Sequence, residues 1–234
     1  MKDYQGKIIV FDGDSICHAT SEREHRGGGW ALRVGEALGM TWYNVGVSGA
    51  TVTAEQYGKN GDARHWVSRS IDRIHEQYPT VDYLILEGGT NDADNLGIGS
   101  PIFGTYDPED FSGKYDDTTY TGALESLFYK AITYYPAAKI GFIVAQKMGC
   151  ETVEHARRRH YFDRAIEICR KWGIPYLDLW ESHPLNPMLD VYFMRGAGVD
   201  KNHAEGRAYA DGQHLTSHGY DLVSDRITRW VETL

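Results

Sequence analysis

Cysteine is scarce in this chain: Cys17, Cys150 and Cys169 are the only three in 234 residues. An odd count at wide spacing builds neither a disulfide framework nor a metal cluster, so no metal and no other cofactor is expected. A reducing cytoplasm is the default compartment. Long apolar runs are also missing. Each is of strand length, well short of the ~20 residues a spanning helix needs, so no membrane span is expected. Met1-Lys2-Asp3-Tyr4-Gln5-Gly6 has no apolar core behind it and gives no sign of a leader, although a mature form with its leader removed would look the same. Positive charge is in deficit, with 24 Lys and Arg against 33 Asp and Glu and a net charge of −9. The one basic run, Arg157-Arg158-Arg159, lies in a helical pattern among acidic neighbours and reads as a solvated helix face. Nucleic acid is therefore an unfavoured partner, since that affinity rests mainly on phosphate neutralisation.

What is present is an alternation of strands and helices. Strand candidates run from Lys7 to Phe11, Thr41 to Val45, Asp82 to Glu87, Lys139 to Ala145 and Ile174 to Asp178; each is short, apolar and bounded by Gly, Pro or polar residues. Between them lie apolar stripes at helical spacing. They are Val67, Ile71, Ile74 and Tyr78; Leu124, Leu127, Phe128, Ala131, Ile132 and Tyr135; and Phe162, Ala165, Ile166 and Cys169. A last stripe carries Tyr220, Val223, Ile227, Trp230, Val231 and Leu234. Such alternation predicts an α/β fold, a flavodoxin-like three-layer α/β/α sandwich around a five-stranded parallel sheet. No repeat or linker divides the chain, so residues 1–234 read as one domain. Two stretches break the rhythm. Ser21 to Gly29 is charged and then Gly-rich, and Leu96 to Thr119 is a long polar and aromatic insertion. The insertion follows Asn91 closely and is expected to wall the active site, with Tyr106, Phe111 and Tyr115 as substrate-binding rings.

Four blocks fall at strand ends or before the last helix: Gly13-Asp14-Ser15-Ile16, Asn44-Val45-Gly46-Val47-Ser48-Gly49, Gly88-Gly89-Thr90-Asn91-Asp92 and Asp211-Gly212-Gln213-His214. Ligands of doubly wound sheets bind at the carboxyl ends of the strands. Ester cleavage needs a nucleophile, a base for its proton and donors where the oxyanion forms. Ser15 is the candidate nucleophile, His214 the base, and Asp211 the group that fixes its tautomer. The backbone N–H groups of Ser15 and Gly49 and the side-chain amide of Asn91 are the candidate oxyanion hole. Thr216 or Ser217 would cap the following helix.

In these blocks the chain resembles the SGNH/GDSL hydrolase superfamily, with Ile16 where the eponymous motif has Leu. The likeness runs from residue 11 to about 219. It implies the fold above, a Ser/Gly/Asn/His site and esterase or lipase-type hydrolysis without a metal. It leaves the ester open among acetylated sugars, lipids, thioesters and aryl esters. The expected substrate is a small-molecule or carbohydrate ester with a short acyl group, O-acetyl on carbohydrate being favoured. Lysophospholipase or thioesterase activity is the alternative within the family, and nothing in the pattern sets the oligomeric state.

Asp12 departs from the family pattern; its carboxylate could raise the pKa of a nearby His or simply face solvent. Asp12-Gly13-Asp14 also resembles the Asp-x-Asp signature of haloacid-dehalogenase-type phosphatases, in which both carboxylates hold Mg²⁺. A non-catalytic sugar-binding module is the third possibility, given sixteen Tyr and six Trp. Among other histidines, His183 and His203 could line the pocket, while His18 and His218 read as surface or helix-entry residues.

Overall fold

The computed structural model describes residues 4–19, 28–54, 62–149, 155–193 and 207–234. Five strands, β1 (Ile8–Asp12), β2 (Thr41–Asn44), β3 (Tyr83–Glu87), β4 (Lys139–Val144) and β5 (Tyr176–Asp178), form one sheet in the order β2-β1-β3-β4-β5. All four pairings are parallel, as the alternating pattern requires. The central strands are apolar almost throughout because helices cover both faces: Ile9, Val10, Phe11, Leu84, Ile85, Leu86, Phe142, Ile143 and Val144 are all buried. The last strand is shorter than expected. Pro175 lacks an N–H and contributes only its carbonyl, to Phe142 N at 3.0 Å, so regular pairing starts at Tyr176.

Among the described residues seven helices accompany the sheet: α1 (Gly29–Leu38), α2 (Val67–Gln77), α3 (Thr90–Asn95), α4 (Tyr120–Tyr134) and α5 (His155–Trp172) between strands, and α6 (Leu179–Ser182) and α7 (Ser217–Thr233) after the last one. α1 packs beside α7, and α4 beside α2 and α5. Strand β4 shows the two faces directly. Phe142 meets Phe128 of α4 edge to face at 5.6 Å. Its neighbour Gly141 points the other way, where an added Cβ would lie 2.5 Å from the Trp230 ring of α7. α7 starts at Thr216, whose side chain accepts from Gly219 N at 3.2 Å, and Thr119 caps α4 in the same way. α1, α3 and α6 fall outside the stripes read from the sequence, the latter two because they are too short to show a period. Among the described residues no helix is long and apolar enough to cross a membrane.

The insertion ends beside the second block, where Ala54 N donates to the Asp117 carbonyl at 2.8 Å, but its rings pack on α4 and α5. Its short 3-10 turn, Pro101–Phe103, stacks Phe103 on His160 at 4.2 Å and accepts a hydrogen bond from Thr121 at the Phe103 carbonyl. Further on, Lys171 lies within 5.7 Å of the Tyr106, Phe111, Tyr115 and Trp172 ring centres and pairs with Glu125 at 2.7 Å, the two charged side chains being 2% and 4% exposed. The rings thus enclose the chain's own lysine against α4 and α5.

The basic triplet is a correction to the sequence reading. Arg158 is fully buried, Arg157 Nη2 donates to the Asp94 carbonyl at 3.0 Å, and Arg159 pairs with Asp163 and Asp178. Only the last contact to Asp163 belongs to an exposed helix face. Asp94 and Asp178 sit on other elements, which a one-dimensional charge pattern does not reveal.

Candidate active site

β1 delivers the first block to the carboxyl edge of the sheet. Gly13 follows the strand at a point with no room for a side chain: a Cβ there would lie 2.5 Å from Glu87 Oε2 and 2.9 Å from the Glu87 carbonyl. The turn after it is braced by Asn44, which donates from Nδ2 to the Cys17 carbonyl at 2.7 Å and accepts from Gly46 N at 3.1 Å. Ser15 sits in this turn, 4% exposed. Its Oγ lies 2.9 Å from His214 Nε2, across 199 residues of chain. On the other side of the ring, His214 Nδ1 lies 2.8 Å from Asp211 Oδ2.

The loop before α7 is shaped to present that ring. Asp211 Oδ1 accepts from Gln213 N at 3.0 Å and from His214 N at 2.8 Å, a side-chain-closed turn. The Gly212 carbonyl accepts from Gly149 N at 2.9 Å, and Ala210 N donates to the His214 carbonyl at 2.9 Å. One carboxylate therefore fixes both the loop backbone and the imidazole.

The second and third blocks are locked together. Gly49 has φ +79°, in the left-handed region glycine tolerates. Asn91 Nδ2 donates one hydrogen to the Ala50 carbonyl at 2.7 Å, leaving its second for another acceptor. The adjacent Asp92 accepts from Val52 N at 2.8 Å, Thr53 N at 3.0 Å and Thr53 Oγ1 at 2.8 Å. Among the described residues, the backbone N–H groups of Ser15 and Gly49 donate to no protein acceptor. Three donors from three segments are thus available at the same end of the sheet.

Carboxylates lie beneath and beside the ring. Burial would lower the His214 pKa, but the hydrogen bond and charge of Asp211, then the charges of Asp14 and Asp94, raise it. For Asp211, burial acts upward and is outweighed by His214 and the two loop N–H groups, which hold the carboxyl at about 2. Asp14 is fully buried, is pushed up by desolvation, and accepts from Ile16 N at 2.8 Å. Glu87 Oε2 accepts from Asp14 N at 3.1 Å, and Glu87 is raised well above the usual carboxylate range by burial and by Asp14. Among the described residues neither Asp14 Oδ2 nor Glu87 Oε1 has a hydrogen-bond partner, so burial disfavours the charge on both carboxyls under the Ser15 turn.

Asp12 does not face solvent. It is 1% exposed, accepts from Ser70 Oγ of α2, and is raised to about 7 by burial. A phosphatase nucleophile at Asp12 would need open access, which this packing denies. No group of three or more His, Cys, Asp or Glu suited to a metal ion occurs among the described residues.

The geometry brings Ser15, His214 and Asp211 into one hydrogen-bonded line, and ties Asn91 to the loop that carries Gly49. It does not bring Tyr106, Phe111 and Tyr115 to that line. They surround Lys171, and from Arg158 to Lys171 the helix α5 rises about 20 Å at ~1.5 Å per residue. Arg158 itself bonds Gln213, next to His214. His183 faces the Leu222 carbonyl and Leu185 N instead; His203 lies outside the described residues. Glu87, Asp94 and Gln213 escaped the sequence reading. The available signal for Glu87 was a charged residue closing an otherwise apolar strand, and for Asp94 its position one helical turn after Asn91.

A model of the GDSL-like lipase/acylhydrolase family matches residues 11–222. The chain belongs to that family. GDSL membership supports a hydrolase, and the structural neighbours agree on the fold. A protein of Lactobacillus plantarum is similar at TM-score 0.69 and 19% identity, covering 98% of each chain. A lipase/acylhydrolase from Enterococcus faecalis follows at TM-score 0.59 and 16% identity, covering 97% of this chain and 96% of its own. A carbohydrate acetylesterase family member from Sinorhizobium meliloti matches at TM-score 0.57 and 15% identity, over 97% and 98%. No curated protein matches the sequence.

Proposed function

We propose that this GDSL-family chain is a serine ester hydrolase for short acyl esters, with O-acetyl groups on carbohydrate as the favoured substrate class. One observation carries the reading: the imidazole of His214 stands between the Ser15 hydroxyl and the Asp211 carboxylate at 2.9 and 2.8 Å. In the forward step Ser15 Oγ bonds to the ester carbonyl carbon and its proton passes to His214 Nε2. The carbonyl oxygen becomes an oxyanion facing the N–H groups of Ser15 and Gly49 and the second amide hydrogen of Asn91. His214 then gives its proton to the leaving alcohol, and the C–O bond to it breaks. Water attacks the acyl-enzyme by the same route, releasing the carboxylic acid and restoring Ser15.

The short-acyl choice draws on two supports. Polar side chains, Asn91, Asp94 and Gln213, belong to the segments flanking Ser15, which suits a hydroxylated alcohol better than a lipid tail. The Sinorhizobium meliloti neighbour is a carbohydrate acetylesterase family member. Initial rates on p-nitrophenyl esters of increasing chain length, and on acetylated sugars, test it with and without EDTA. Acetyl should be hydrolysed best and EDTA should change nothing. A kcat/KM that climbs toward long acyl chains would favour a lysophospholipase. Hydrolysis of p-nitrophenyl phosphate that stops on chelation would favour a phosphatase, and no turnover at all would favour a binding module.

Asn91→Ala provides a second test. Its free N–H matters most when charge has developed on the carbonyl oxygen, so kcat should fall about 10²- to 10³-fold with KM little changed. The variant also loses the bond to Ala50, so circular dichroism and melting should accompany the kinetics. A loss confined to KM would remove Asn91 from the oxyanion hole.

A further inference from the structure

Gln213, the residue before His214, is held at three points. Its N–H donates to Asp211 Oδ1 at 3.0 Å, its carbonyl accepts from Gln146 Nε2 at 3.1 Å, and its side-chain oxygen accepts from Arg158 Nη2 at 3.1 Å. The same guanidinium grips Asp94, with Nε at 2.9 Å from Oδ1 and Nη2 at 3.2 Å from Oδ2. Asp94 lies three residues after Asn91 on α3, hence on the same side of that helix. A single side chain on α5 therefore spans the two segments that carry the base and the side-chain oxyanion donor.

Stability is a poor explanation for this arginine. Its side chain has no solvent exposure, and among the described residues Nη1 has no acceptor. Burying a guanidinium incurs a desolvation penalty, and well-packed apolar residues in place of buried ion pairs are often neutral or stabilising. What a planar guanidinium supplies is a fork of donors at fixed spacing, which an apolar residue or a flexible ammonium cannot supply. We propose that Arg158 is a positioning residue for the reaction, fixing the His214 loop against the Asn91 helix through Gln213 and Asp94. The inference rests on the ester-hydrolase reading above for its kinetic consequence, but not for its structural one.

Arg158→Met, Arg158→Lys and Gln213→Met test it in the full chain. Arg158→Met should lower kcat on p-nitrophenyl acetate about tenfold to a hundredfold, with KM within twofold; because Asp94 loses its partner, the melting temperature should fall as well. Arg158→Lys should recover part of the loss, since one ammonium reaches one acceptor but not the fork. Gln213→Met keeps both backbone bonds and removes only the side-chain acceptor; it should reproduce the kcat loss and add little to Arg158→Met in the double variant. Independently of any turnover, proton NMR of the free protein should show the His214 Nδ1–H bonded to Asp211 as a sharp downfield signal. That signal should broaden or vanish in Arg158→Met and Gln213→Met. If the parent hydrolyses no ester, the functional reading fails while the NMR comparison still decides the role of Arg158. Unchanged kcat and an unchanged His214 signal in Gln213→Met would overturn the proposal. So would a kcat loss in Arg158→Met that disappears at temperatures well below its melting transition, while Gln213→Met behaves as the parent. Should Arg158→Met fail to fold, Gln213→Met carries the test alone, because Gln213 is only partly buried.

Discussion

Ser15→Ala should lower kcat for p-nitrophenyl acetate by about 10⁴- to 10⁶-fold, the range expected when a nucleophile acting as one unit with its base is removed. The fold should survive. Among the described residues Ser15 Oγ has a single side-chain partner, His214, whose own side chain is 23% exposed and can turn to water. Loss of one such bond costs about 0.5–1.5 kcal/mol. His214→Ala should be equally severe, because a serine hydroxyl without a base is a weak nucleophile. The double variant is the sharper measurement. If the two groups form one device, Ser15→Ala/His214→Ala should be no worse than either single change. Either single variant retaining a tenth of the parental rate would remove that residue from the mechanism. Additive losses would mean two independent contributions and a different chemistry.

The sequence made the sheet and its binding edge legible because parallel strands covered on both faces leave continuous apolar runs. Lys7 to Phe11 and Ile8–Asp12 differ by one residue at each end. The Ser15, His214 and Asp211 grouping was legible for another reason. Each lies in a short block whose chemistry is local, even though Ser15 and His214 are 199 residues apart. What stayed hidden depends on which elements become neighbours. Arg158 looked like part of a charged face because Asp94 and Gln213 come to it from distant segments. Tyr106, Phe111 and Tyr115 looked like a sugar-binding wall, and their aromatic faces do take up a cation. That cation is Lys171, about three and a half turns beyond Arg158, which approaches the His214 loop, at ~3.6 residues per turn. Asp12 could not be assigned a side from a strand buried on both faces; Ser70 of α2 decides it.

Asp211→Asn is the second large effect, and its value is that it changes charge with little change in shape. An asparagine oxygen can still accept from Gln213 N and His214 N, so the loop should keep its turn. The atom facing His214 Nδ1 becomes a donor. The imidazole then accepts there and carries its proton on Nε2, the wrong tautomer for taking the Ser15 proton. At neutral pH kcat should fall about 10³- to 10⁴-fold with KM nearly unchanged. The pH profile should move as well. In the parent, Asp211 raises the His214 pKa, so kcat/KM should rise with pH through a value above the ~6.5 of a free imidazole. In Asp211→Asn that limb should shift to lower pH. Stability follows with a definite sign. The raised His214 pKa contributes stability that is fully present below ~6.5 and is lost as pH rises through the folded value. The Asp211 carboxyl, held at about 2, contributes stability present above ~3.9 and lost as pH falls through about 2. The parent's advantage over Asp211→Asn in melting temperature should therefore be greatest between ~4 and ~6.5, where both partners are charged, and should shrink at pH 9. A difference that stays constant from pH 5 to pH 9, together with a kcat loss below tenfold, would mean that Asp211 shapes the loop without tuning His214.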